Sequence, residues 1–287
     1  MSKSNKRISL LLSLVLIISA FSGWTAFADS LGDKLYGKTL NIGRETLLAG
    51  GVYWNSGYTE KITENYIEYT PGGSVIPIIS HGIDVYGAAS FKTVAAKAAE
   101  EGKYIVAGLN GDYFNMNNGV PVGMTIKEGS LITSESMTAP SVGFYADGSA
   151  VIGRANLNIK LDGPSLGTTI GSIHLNKVVT AASGVMLYTR DYADDDTNKA
   201  AIPTYNILLS ADSEKLYLNG TVEATVDSVY SATGAAFIPD GKLLLTMASE
   251  TNYPGTLAKL TALIPGDRLT LTLSSDPSWD DVEFAVG

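Results

Sequence analysis

The sequence predicts an α+β fold in which strands dominate, with mixed sheets and a few helices. Three observations predict it. The 287 residues include 30 glycines and 15 tyrosines among frequent Val, Thr and Ile, the residue types of pleated, turn-rich structure. Short strand-like segments recur from residue 141 to the end. Residues 90–102 carry the clearest helical period. With 45% hydrophobic residues, the length suits one large domain or two modest ones, enough to bury a sizeable core.

Taken in order, the chain opens as a secretory signal. Lys3, Lys6 and Arg7 precede an apolar run over residues 8–21, and Ala26-Phe27-Ala28 fits a small-x-small cleavage site. The run is shorter than the roughly 20 residues of a membrane span. Residues 1–28 therefore read as a signal peptide, 29–45 as a linker and 46–287 as one domain. Residues 47–58 (LLAGGVYWNSGY) read as a strand entering a turn. Residues 64–80 form two extended segments about Pro71-Gly72-Gly73. In residues 90–102 (SFKTVAAKAAEEG), Ser90 is the N-cap, and Phe91, Val94, Ala95 and Ala98 fall on one stripe. Gly102 ends the helix. A short apolar strand over 103–109 follows. Residues 141–153 (SVGFYADGSAVIG) read as a hairpin with Asp147-Gly148 in a type I′ turn. Further strands are expected at 157–161 and in SIHLN, GVMLYT, TYNILLS, EKLYL, TVEATV, KLLLTMA and RLTLTLS, with a second short helix at 256–263.

Charge and composition exclude several functions. The net charge is −9, and loss of three positive charges with residues 1–28 takes it to −12. An acidic surface argues against nucleic acid or anionic membranes as partners, and no stable membrane insertion is expected once the signal is cleaved. There is no cysteine, so disulfides, thiolate metal sites and a Cys nucleophile are excluded. The two histidines, His81 and His174, lie far apart and read as structural. Asp194-x-Asp196-x-Asn198 begins like a calcium loop, but Lys199 stands where Gly is required and Tyr205 where a bidentate Glu is required. A solvated loop is expected there. No metal site and no cofactor are expected.

Polar groups concentrate in residues 106–132, VAGLNGDYFNMNNGVPVGMTIKEGSLI. Asn110, Asp112, Asn115, Asn117 and Asn118 cluster among Gly108, Gly111, Gly119 and Gly123, which permit sharp turns and close approach of backbone to a ligand. Tyr113, Phe114 and Met124 would wall a pocket or fill the core.

This stretch resembles the phosphodiester glycosidases. The resemblance rests on an Asn-Gly-x-aromatic-Phe segment, a Gly-x-Pro-x-Gly and a later Gly turn. Asn110, Gly111, Phe114, Gly119, Pro121, Gly123 and Gly129 fit this pattern, with Asp112 in place of a common Gly. Looser resemblance runs through DGSAVIG, residues 173–192 and residues 264–287, so about 45–287 is covered. It implies a secreted or envelope-associated hydrolase that cleaves sugar-1-phosphodiester bonds in envelope or extracellular glycans. Phosphate is already a good leaving group, so a carboxylate that activates water or attacks the sugar is the main need. The resemblance implies Asp112 and Asn110 as catalytic residues. Gly111, Tyr113, Phe114, Asn115 and Gly123 would bind a carbohydrate or sugar-phosphate substrate. It also implies further motifs after Gly287, an Arg-Thr and an Asp-Gly-Gly-Ser, so the fold and the site are expected to be incomplete at the C-terminus. Two other functions compete: a non-catalytic module binding cell-surface polysaccharide, and a β-rich structural domain without a small ligand.

Overall fold

A computed structural model describes residues 31–72, 74–82, 84–135 and 139–287. The expected signal peptide lies outside the described residues. The described residues divide into two compact units, one ending at Val75 and the other beginning at Ile76.

The first unit is a three-stranded antiparallel sheet of β1 (Asp33–Gly43), β2 (Thr46–Trp54) and β3 (Lys61–Tyr69), in the order β1-β2-β3. The segment expected as a linker, 29–45, thus contains an 11-residue strand. Two register irregularities, between Lys34 and Tyr36 and between Asn41 and Gly43, break its alternation. Side-chain pairs across the sheet include Tyr53, whose hydroxyl donates to Glu64 at 3.2 Å, and Lys61, whose ammonium lies 5.3 Å from the Trp54 ring centre.

The second unit is α+β. Helix α1 (Phe91–Glu100) is capped by Ser90, whose hydroxyl accepts from Thr93 N at 3.2 Å. At its end, Gly102 takes φ +82°, and Lys103 N donates to Ala98 O at 2.9 Å, closing a Schellman turn. Residues 103–109, expected as a strand, join no ladder. A five-stranded antiparallel sheet combines β4 (Thr125–Lys127), β5 (Ser130–Thr133), β6 (Ser141–Tyr145), β7 (Ala150–Gly153) and β15 (Val282–Val286), in the order β5-β4-β15-β6-β7. The β6–β7 hairpin is present, but its turn is not type I′. Gly148 has φ +82° while Asp147 stays out of the positive-φ region, and Gly148 N donates to Tyr145 O at 2.9 Å. This is a three-residue loop with its left-handed position on glycine.

The seven-stranded sheet comprises β8 (Asn158–Asp162), β9 (His174–Leu175), β10 (Met186–Tyr188), β11 (Thr204–Ala211), β12 (Thr221–Ala232), β13 (Lys242–Ala248) and β14 (Arg268–Ser274). Its order is β8-β14-β12-β11-β13-β10-β9, antiparallel except for the β9–β10 pair. Between β13 and β14 lies α2 (Pro254–Thr261), the second expected helix. EKLYL forms no strand: it lies in the β11–β12 connection, pinned by buried Leu216 and Leu218.

KLLLTMA is mostly apolar because β13 is buried on both faces from Leu243 to Ala248, with Thr246 the one polar residue in that buried stretch. Leu243, Leu245 and Met247 join the larger core, which also takes Ile126 and Leu131 from β4 and β5 and Val282 and Ala285 from β15. Leu244 and Ala248 join a second core with Tyr188, Tyr192 and Ile238. One face of the seven-stranded sheet therefore packs on the five-stranded sheet. The cleft described next forms where α1, the loop after it and the end of β15 meet.

Candidate functional site

Residues 113–122 form a short hairpin rather than a plain loop. Phe114 pairs with Pro121, Asn115 N donates to Val120 O at 3.0 Å, and Val122 N donates to Tyr113 O at 2.8 Å. The asparagines build its turn. Asn115 Oδ1 accepts from Asn117 N at 2.9 Å, and Asn118 Oδ1 accepts from Val120 N at 3.1 Å. Gly119 has φ +75°, and a Cβ there would lie 2.4 Å from the Gly87 carbonyl carbon.

Asp112 ties the base of this hairpin. Its Oδ2 accepts from Gly123 N at 2.7 Å, while Asn110 Nδ2 donates to the Asp112 carbonyl at 2.8 Å. The chain end of β15 packs beside them. A Cβ on Gly111 would lie 2.8 Å from Val286 Cγ1, and one on Gly123 would lie 2.0 Å from the Gly287 backbone. Neither position tolerates a side chain without displacing β15.

Asn110, Asp112 and Tyr113 stand on a wall between two recesses. One, of about 170 Å³, is lined also by His81, Phe114 and Thr125. The other, of about 530 Å³, is lined also by Pro140 and Gly287. Tyr113 is 86% exposed and Phe114 39%, so both rings face the recesses and not the core, whereas Met124 is fully buried. The structure thus brings Asn110, Gly111, Asp112, Tyr113 and Phe114 together. Gly123 reaches them through its N–H. Asn115 does not line either recess, because its side chain caps the turn.

Two residues expected to be structural, or not singled out, bear on the site. His81 lines the smaller recess. Its Nδ1 is buried without a hydrogen-bond partner among the described residues, and desolvation lowers its pKa, so the ring is neutral at pH 7. His174 is structural as expected, with Nδ1 3.3 Å from Glu135 O. Lys177, 5% exposed, was not read from the sequence at all. Its ammonium donates to Pro121 O at 2.5 Å, Val122 O at 3.3 Å and Gly123 O at 3.1 Å. Burial brings its pKa down to about 7, against the attraction of Asp112 and Glu135. The preceding Asn176 is fully buried with φ +52°. It donates to Ile132 O at 2.8 Å and Thr189 Oγ1 at 2.9 Å, and accepts from Thr189 N at 3.0 Å. Asn-Lys inside the largely apolar run IHLNKVV was the available signal.

The acidic segment is held by cations of the protein. Arg190 grips Asp196 bidentately, at 2.9 and 2.6 Å, and Lys199 bonds Asp195 at 2.7 Å and Asp194 at 3.3 Å. Asn198 is not solvated: it is buried, donating to Thr246 Oγ1 at 3.1 Å and accepting from Ala236 N at 2.8 Å. Among the described residues, no cluster of three or more His, Asp or Glu side chains is placed to hold a metal ion.

No protein-family model matches the chain, and no curated protein matches it. Two solved structures share its fold. A hypothetical protein from Synechocystis has a TM-score of 0.63 and 17% identity over 88% of this chain and 43% of its own. A protein from Burkholderia pseudomallei K96243, named as exported, has a TM-score of 0.54 and 18% identity over 84% of this chain and 49% of its own. The chain therefore spans less than half the length of these structures. Among the described residues, no helix is long and apolar enough to cross a membrane.

Proposed function

We propose that this chain belongs to a secreted or envelope-associated hydrolase that cleaves sugar-1-phosphodiester bonds in extracellular or envelope glycans. The observation that carries this reading is Asp112: a carboxylate fixed by the Gly123 N–H at 2.7 Å, standing with Asn110 at the wall of an open cleft. One Asp112 oxygen is committed to that N–H. The carboxylate can use the other to take a proton from water attacking the anomeric carbon. The leaving phosphate monoester needs no strong acid, which fits a cleft whose neighbouring histidine has its pKa lowered by burial. Tyr113 offers an exposed ring face for a sugar. Export is supported by the basic, apolar and small-residue pattern of residues 1–28 and by the shared fold with the Burkholderia protein that is named as exported.

A second reading, non-catalytic binding of surface polysaccharide, is favoured by the same exposed ring. The Asp112→Asn variant separates the two in the full exported protein, with sugar-1-phosphate methyl diesters as substrates. The hydrolase reading expects release of free sugar to fall about 100-fold or more while glycan binding persists, the usual size of a lost general base. Turnover equal to the unsubstituted protein would remove Asp112 from the catalytic role. Binding without any turnover in either protein would favour the second reading.

A further inference from the structure

The three carbonyls that Lys177 grips are consecutive, and the N–H groups of the same peptide units point the other way. In a trans peptide the C=O and N–H are antiparallel. The unit with the Pro121 carbonyl sends Val122 N–H to Tyr113 O at 2.8 Å. The unit with the Val122 carbonyl sends Gly123 N–H to Asp112 Oδ2 at 2.7 Å. The unit with the Gly123 carbonyl sends Met124 N–H to Gly287 O at 2.8 Å. Three peptide dipoles are therefore aligned, their negative ends on one ammonium and their positive ends on the hairpin base, the carboxylate and the end of β15. Gly123 O is also held by Thr133 Oγ1 at 3.1 Å, but among the described residues Pro121 O and Val122 O have no other donor.

We propose that Lys177 is the positioning residue of the cleft, and that its proton is the clamp: while charged it sets the Gly123 N–H against Asp112, and on deprotonation it releases the rim. An ammonium has three donors for three acceptors, and a neutral amine has two and no charge. The lysine is buried behind a backbone wall, with no carboxylate bonded to it, so its proton is loosely held. The titratable groups near it are Asp112 on the hairpin, Glu135 after β5, and Tyr188 on β10. Asp112 and Glu135 favour the charge. Tyr188, whose hydroxyl donates to Lys177 O at 2.6 Å, is held well above the ordinary tyrosine pKa by burial and stays neutral. Burial alone opposes the charge, and brings the transition into the neutral range.

The role in turnover rests on the proposed hydrolysis, whereas the clamp itself is read without it. The test is a pH titration from 6 to 9.5 of the full chain by NMR, following the Lys177 side chain and the backbone amides of Val122, Gly123 and Met124. The three amides are expected to shift together, with the midpoint of the Lys177 titration. In Lys177→Arg, which stays charged throughout, that shift is expected to vanish. Amides that ignore the Lys177 titration, or that shift equally in Lys177→Arg, would overturn the proposal. So would a Lys177 that stays charged past pH 9.5. Sugar-1-phosphodiester turnover in parallel is expected to lose kcat with that same midpoint, and that pH step is expected to be absent from Lys177→Arg. Amides that follow Lys177 in a protein without turnover would leave the clamp standing and refute the hydrolase.

Discussion

Burying Lys177 makes a quantitative demand on stability. An unfolded lysine titrates near 10.5, and the folded one at about 7. For a base with a depressed folded pKa, the unfolded chain binds more protons between those values, so stability rises as pH climbs through that window. From pH 7 to pH 9 the gain amounts to about 2 kcal/mol. Lys177→Met removes the term while leaving the other ionisable groups in place. Urea denaturation of both proteins at pH 7, 8 and 9 reads it as a difference of differences. The wild-type protein should gain about 2 kcal/mol relative to the variant across this range. Parallel pH dependences for the two proteins would refute the depressed pKa, and with it the assignment of Lys177 as a proton-dependent clamp. A stability gain beside a loosened rim is no contradiction. Deprotonation relieves a charge from a dry site and at the same time removes the hold on three carbonyls.

Other substitutions probe the supports of the cleft. Gly123→Ala forces a Cβ into the Gly287 backbone, 2.0 Å away, and towards Asp112 Oδ2 at 3.0 Å. Displacement of β15 is expected, lowering stability by about 1–3 kcal/mol and abolishing turnover, read by thermal unfolding and assay. Asn176→Ala leaves the buried Ile132 carbonyl and Thr189 N–H without their partners. A loss of about 2–4 kcal/mol is expected in denaturant titration, with Lys177 released from its place.

Local features of this fold were legible in the sequence and non-local ones were not. The helix over Phe91–Glu100 announced itself because its cap, its stripe and its terminal glycine are all encoded within 13 residues. KLLLTMA read as a strand because burial on both faces leaves a mostly apolar run. β1 read as linker because its two register irregularities erase the period of two and its side chains are largely exposed. The apolar content of residues 103–109 suggested a strand, but apolar content does not by itself supply a pairing partner. At the site, Asn110, Asp112 and the glycines were legible as one cluster because the hairpin gathers them locally. Lys177 was not, since its three acceptors lie more than 50 residues away along the chain, and a lysine in sequence reads as surface. Asn115 was placed in the site for its composition, whereas a turn had already claimed its side chain.

Which bond breaks is the most direct test of the function proposed here. Hydrolysis of a sugar-1-phosphate methyl diester in ¹⁸O-labelled water, with products read by mass spectrometry, locates the attacking oxygen. Attack at the anomeric carbon, with Asp112 taking the water proton, predicts the label in the free sugar and none in the methyl phosphate, with release of labelled sugar about 100-fold or more slower from Asp112→Asn. Label in the phosphate, or no hydrolysis of any sugar-1-phosphodiester by the protein, would contradict it.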